Sequence, residues 1–385
     1  MRRLRIAIAT TGRFHVLDLA RELSLLGHDV VFYSFVPKYR AVRFGLPAGS
    51  HRGLLPFVAP YFLVQRLFPR RGSEFADRNL LRSMDTLIAS RLEPCDVFIG
   101  MSGLCVESAR EAKRKHGAVV FIERGSRHIL SQKEILESMP GRRRESSAVP
   151  AHAVERELEG YGIADMITVP SKHVERSFLE RGFPAGKMFR NPYGVDLRMF
   201  HQTPAPPRDP PTILFVGSWS YRKGCDILVE AWRMLKDVRL VHVGAIGDAP
   251  LPGDSNFLHF KPVPQWDLNR YYGMAHVFVL ASREEGLSLV QLQALACGLP
   301  VVCTDRTGGE DIREMISDPT PVSVVPAGQS PPLAEAIRSA LQIVRDGSRN
   351  RDYLGDSREM LSWRNYGERY HRKMEEVTST LFSNN

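Results

Sequence analysis

Short runs of β-branched and other apolar residues recur through the chain. Each is followed by a stretch in which apolar residues return every three or four positions. The first run covers residues 5–10. Gly12 then opens a loop, and residues 17–26 place Leu17, Ala20, Leu23 and Leu26 at helical spacing. Gly27 stops that helix, and residues 29–35 form the next strand. Strand, helix and strand in this order make a βαβ unit, which implies a parallel sheet. Further runs at 97–100, 118–123 and 166–170 continue the alternation. Residues 36–75 are less regular. Their core is an apolar stretch at 54–71, broken by prolines and ending in Arg66, Arg70 and Arg71. It is too short and too interrupted to span a bilayer. A packed pair of helices, a segment dipping into a membrane interface and a wall for a greasy acceptor all fit it.

Residues 201–211 are rich in proline and polar, which suits a stiff linker. A second alternation starts at Thr212, with strands at 212–217, 239–244, 257–262, 277–282, 300–305 and 322–327. Helices are expected at 226–235, 267–275, 287–296 and 333–344, and a last polar helix from 362 to 382. The fold class is therefore α/β, with two Rossmann-like, doubly wound parallel sheets. A length of 385 residues fits two domains. The expected units are 1–195 and 196–363, with 364–385 as a closing helix.

Composition changes this picture little. No apolar run reaches the length of a spanning helix. The apolar run near the start stops at Arg13 and contains Thr10 and Thr11, so it reads as a buried strand rather than a targeting segment. The five cysteines are odd in number and lack Cys-x-x-Cys spacing, which fits a reducing cytoplasm better than a disulfide framework or a zinc site. Charge is more informative. Residues 1–195 carry 31 Lys and Arg against 20 Asp and Glu, while residues 196–385 carry 21 against 23. The basic half either faces an anionic partner, such as phosphate, a membrane surface or nucleic acid, or is a solvated Arg-rich surface.

In open α/β sheets ligands bind beyond the carboxyl ends of the strands, near helix N-termini. Four loops of that kind carry candidate chemistry. Residues 10–15 include Gly12, which lets backbone approach a ligand, though the spacing is not G-x-G-x-x-G. Residues 216–226 set Gly217, Arg222 and Lys223 before a helix, where a diphosphate would meet two cations and a helix dipole. Residues 281–302 place Glu285 and Gly286 in a turn. Gln293 follows on the less polar face of the next helix, as a ribose ligand or a satisfied core amide. Residues 121–129 gather Glu123, Arg124, Arg127 and His128 after a buried strand, as a site or as a salt-bridged loop.

Together these stretches resemble the family 4 (group 1) retaining glycosyltransferases of GT-B architecture. Four pieces carry the resemblance: the segment ending in Gly194, Val195, Asp196 and Phe200; the loop with Arg222 and Lys223; residues 271–302; and residues 362–370. It implies two Rossmann-like domains facing across a cleft, with the last helix crossing back to the first. By matching position, Arg222 and Lys223 would bind the diphosphate of a nucleotide-sugar donor and Glu285 would contact its sugar. The backbone at Gly286, Leu287, Ser288 and Leu289 would hold sugar and phosphate. Gln293 stands where the family has a second Glu for the ribose, and Ser288 where it has a glycine. Arg124 and His128, in a stretch similar to Arg-Gly-Ser-x-His, would line the acceptor side.

The reaction implied is transfer of a sugar, with retention, to a glycan or lipid-linked acceptor. No Asp-x-Asp occurs, so neither a metal nor any other cofactor is expected. The cations and helix dipoles would stabilise the leaving diphosphate. Peripheral contact with an anionic membrane is a possible partner interaction; nucleic acid is not, since no recognised motif accompanies the basic half. The alternatives are a nucleotide-sugar epimerase or hydrolase of the same architecture, or an inactive nucleotide-sugar-binding protein.

Overall fold

The computed structural model describes residues 3–57, 73–139, 149–204, 206–207, 209–346 and 352–383. Most of the apolar stretch, with Arg66, Arg70 and Arg71, lies outside the described residues.

Thirteen described strands form two sheets. The first holds β1 (Arg5–Ala9), β2 (Asp29–Ser34), β3 (His51–Gly53), β4 (Val97–Met101), β5 (Val119–Glu123), β6 (Met166–Val169) and β7 (Met188–Arg190), in the order β3-β2-β1-β4-β5-β6-β7. The second holds β8 (Thr212–Val216), β9 (Arg239–Val243), β10 (Phe257–Phe260), β11 (Val277–Leu280), β12 (Val301–Thr304) and β13 (Val322–Val325), in the order β10-β9-β8-β11-β12-β13. Every pairing is parallel; Ile6, for example, pairs with Val30 on one side and Val97 on the other. β5, β8 and β11 are buried along their whole length because helices cover both faces, so they read as unbroken apolar runs. In each sheet the strand order reverses once, between β1 and β4 and between β8 and β11. That reversal is where this topology opens a crevice for ligands.

The helix after β1 spans His15–Leu25 and buries Val16, Leu17, Leu19, Ala20 and Leu23 against the sheet. It starts two residues before the apolar periodicity does, because His15 is buried where it meets Glu123. The long C-terminal helix, Trp363–Ser383, lies on the first domain. Tyr370 donates to the Glu123 carboxylate at 2.7 Å, Arg369 donates to Asn191, and the imidazoles of His28 and His371 meet at 3.0 Å. Tyr366, Tyr370 and Met374 complete a core that is continuous with that of the second domain. Buried aromatics of this size each remove about 150–250 Å² from water.

The chain crosses between domains twice, and the crossings run side by side. Val195 pairs with Ser362 in a parallel bridge, and its N–H donates to the Leu361 carbonyl at 2.7 Å. The five cysteines are buried free thiols. No helix of the described residues is long and apolar enough to cross a membrane.

Candidate active site

The loop after β8 turns back at Gly224, whose φ is +67°, and a Cβ there would overlap the Ala281 carbonyl. Only glycine lets this loop lie flat on the end of β11. Arg283 then stitches the two loops together. It donates to both Asp226 carboxylate oxygens at 2.6 Å and to the Tyr221 carbonyl at 2.7 Å, while its own N–H reaches the Arg222 carbonyl at 2.9 Å. The Gly217 carbonyl accepts from His242 at 2.8 Å.

This framework turns both basic side chains toward the loop after β11. Arg222 Nη2 lies 3.0 Å from the Glu284 carboxylate, and Lys223 Nζ contacts the Glu285 carboxylate. Glu284 is fully buried. Burial pushes its pKa up, but Arg222, with help from Ser126 and Gln132, more than reverses this and holds it below the usual range. Lys223 is pushed down to about 8, by burial first and by the charge of Arg222 second, against the opposing pull of Glu284.

The first domain meets this loop directly. Ser126 donates to one Glu284 oxygen, and Gln132 donates to the other at 3.3 Å. Ser171 donates to the Gly286 carbonyl at 2.9 Å, and His173 Nε2 donates to the Glu285 carbonyl at 2.8 Å. A Cβ on Gly286 would overlap the Gly125 carbonyl, so the backbones of the two domains touch at this glycine. Arg13, next to Gly12, donates to Gln265 across the same gap, and Arg43 lies over the Trp266 ring at 4.0 Å. The domains are closed on one another.

Arg222, Lys223, Glu285 and Gly286 are thus brought together, with Gly217 at the base of the loop. Leu287 and Ser288 are buried behind them, with Ser288 donating its N–H to the Thr307 carbonyl at 3.3 Å, and Leu289 opens the Leu289–Ala296 helix. Gln293 is buried, and its amide oxygen accepts from the Tyr272 hydroxyl at 2.9 Å. Arg124 and His128 do not join the cluster. Arg124 turns into its own domain, bonding Glu157 at 2.8 Å, Gln132 at 2.7 Å and the Arg127 carbonyl. His128 caps the Ile129–Glu137 helix and packs between Tyr161 and Phe178. Burial there pushes its imidazole down to about 4. Sequence reading passed over Glu284, Ser126, Gln132, Ser171, His173 and Arg283. Two adjacent glutamates at 284 and 285 were the one available signal.

The model described as "Glycosyltransferase Family 4" matches residues 13–199, and that described as "Glycosyl transferases group 1" matches residues 210–342. The chain is 27% identical over 353 residues to a subunit of the phosphatidylinositol N-acetylglucosaminyltransferase of Arabidopsis thaliana, covering 86% of this chain and 71% of that one. It is 25% identical over 277 residues to the Erwinia amylovora amylovoran biosynthesis glycosyltransferase AmsK, covering 65% and 63%. The fold matches the crystal structure of Anabaena HepE in complex with UDP-glucose with a TM-score of 0.63 at 13% identity, over 98% of this chain and all of that one. With both domain models matched in order on two Rossmann-like sheets, the chain belongs to the family 4, group 1 glycosyltransferases and is a glycosyltransferase of the GT-B type.

Proposed function

We propose that this glycosyltransferase takes a sugar from a nucleoside-diphosphate donor and passes it, with retention, to a glycan or lipid-linked acceptor. The observation that carries the reading is the convergence of Arg222 and Lys223 on Glu284 and Glu285 at the ends of β8 and β11. Without a donor each cation rests on a carboxylate. With one, the diphosphate takes over the two cations, and Glu285 is released toward the sugar hydroxyls. The bond from the anomeric carbon to the β-phosphate oxygen breaks, and negative charge grows on that phosphate. Arg222 and Lys223 stabilise it in a site sheltered by the closed domains. The acceptor oxygen attacks from the side the phosphate leaves, and its proton passes to the departing phosphate. The Anabaena complex with UDP-glucose supports a nucleotide-sugar donor, and the names of the Arabidopsis and Erwinia relatives support a lipid or polysaccharide acceptor. Gln293 serves here as a partner of Tyr272, and Arg124 and His128 as supports of the loop that carries Ser126.

The test is a thermal-shift panel of UDP-, GDP- and ADP-sugars, since a ligand of the native state raises its melting temperature. At least one donor should raise it, and Lys223→Ala and Glu285→Ala should sharply reduce that shift. Variants that respond like the parent would overturn the donor site.

Peripheral contact with an anionic membrane belongs to the same proposal. Tyr39 and Val42 stand exposed on the short Lys38–Arg43 helix beside Arg40 and Arg43, and Leu55 and Phe57 are exposed just after β3.

A further inference from the structure

Two arginines at the domain seam take no part in the cluster described above. Arg127 lies in the loop after β5 of the first domain, and Arg306 in the loop after β12 of the second. The Arg127 side chain is only 10% exposed, yet its guanidinium makes no hydrogen bond among the described residues, and its buried Nε has no partner. The nearest carboxylate oxygen, on Glu180, is 4.0 Å away, beyond hydrogen-bond reach. Arg306 is 39% exposed, and its nearest carboxylate, Asp305, is 3.7 Å from Nε. A guanidinium presents five N–H donors in a planar fork, so a buried one without acceptors is costly to keep.

Local structure holds both in place. Arg124 grips the Arg127 carbonyl, and the His128 N–H donates to Ser177 at 2.9 Å, which fixes Arg127 beside the Lys172–Leu179 helix. That helix also carries His173, which bonds the Glu285 carbonyl, while the Arg306 carbonyl accepts from the Glu285 N–H at 3.1 Å. The Arg306 backbone and the helix beside Arg127 therefore meet at the same Glu285 peptide, one from each domain. After burial, the charge of Arg306 is the largest influence lowering the pKa of Arg127, and both arginines lower that of His173. Glu180, Glu284 and Asp305 offset part of this repulsion from a distance, but none of them hydrogen-bonds the Arg127 fork.

We propose that Arg127 and Arg306 form the two halves of an oxyanion site across the domain seam, which takes a phosphate group carried by the acceptor. A phosphate monoester has three free oxygens and close to two charges, enough to engage two forks at once, whereas a carboxylate fills one. The site stands on the buried Arg127 fork, whose Nε has no partner, and on the half-exposed Arg306 across the seam. Only the naming of the acceptor as carrier rests on the glycosyl-transfer reading.

The experiment uses the full chain carrying Arg222→Ala and Lys223→Ala, which silences the diphosphate site. Binding of inorganic phosphate, glycerol 3-phosphate and short-chain phosphatidic acid is followed by calorimetry and thermal shift. A phosphate ester should bind and raise the melting temperature, and Arg127→Gln or Arg306→Gln should weaken that binding about tenfold or more, the loss expected for a charge-assisted fork. Arg306→Glu, which gives Arg127 a carboxylate partner, should raise the melting temperature without ligand and abolish the response. If Arg127→Gln does not fold, the half-exposed Arg306 carries the test. The site is overturned if the parent binds no phosphate or if the Gln variants bind as it does. Saturation by inorganic phosphate, with no binding of either ester, overturns the acceptor as carrier. The donor reading is judged separately, by the Lys223-dependent response to nucleotide sugars.

Discussion

At Lys223, burial and the proposed diphosphate would pull on one proton in opposite directions. Its ammonium is pushed down to about 8 by desolvation and by Arg222. A diphosphate is held best by the charged form, so donor affinity should be full below pH 8 and fall as pH rises through it. Lys223→Ala should bind weakly at every pH, with no such step. Titration calorimetry between pH 6.5 and 9.5 checks this, and a step of equal size in Lys223→Ala would assign the proton elsewhere. His128 and His173 show burial acting on imidazoles, pushed down to about 4 and about 3. Both stay neutral at physiological pH, as their hydrogen bonds to the Leu130 N–H and the Glu285 carbonyl allow. Gln293 accepts from the Tyr272 hydroxyl, whose pKa burial raises well above its usual value.

The loop after β11 depends on Gly286 more than on any charge it carries. Its Cα faces the Gly125 carbonyl so closely that one added methyl would force the domains apart. Gly286→Ala should leave donor binding within about twofold, because Arg222 and Lys223 stay on their own domain, and should cut kcat about a hundredfold or more by blocking the closed state. A normal kcat, measured beside the donor Kd, would show that closure is not needed. The neighbouring glutamates show what was legible in the sequence. The strands could be read because two covered faces leave continuous apolar runs, and Arg222, Lys223 and Glu285 because they punctuate strand ends. Glu284 could not be read: what buries it are Ser126 and Gln132, more than 150 positions earlier in the chain. His173 and Ser171 escaped for the same reason. Arg124 and His128 were legible as a polar loop, but polarity after a buried strand serves internal capping as readily as it serves a ligand.

Charge is divided between the two domains as unevenly as chemistry is. Of the net charge of +9, the first 195 residues supply a surplus and the rest a slight deficit. The exposed Tyr39, Val42 and Phe57 stand on the basic half. The protein should sediment with phosphatidylglycerol-containing vesicles at low salt, be released when the Debye length shrinks to a few ångströms near 1 M salt, and ignore zwitterionic vesicles. Failure to bind anionic vesicles at low salt would remove the membrane from the proposal. The paired crossings have a consequence of their own. Two chain crossings joined by the bridge between Val195 and Ser362 resist twisting more than a single tether would. A doubled crossing of this kind favours bending over twisting. Bending there would part Glu285 from His173 and Glu284 from Ser126 together, because both contacts lie across the same seam.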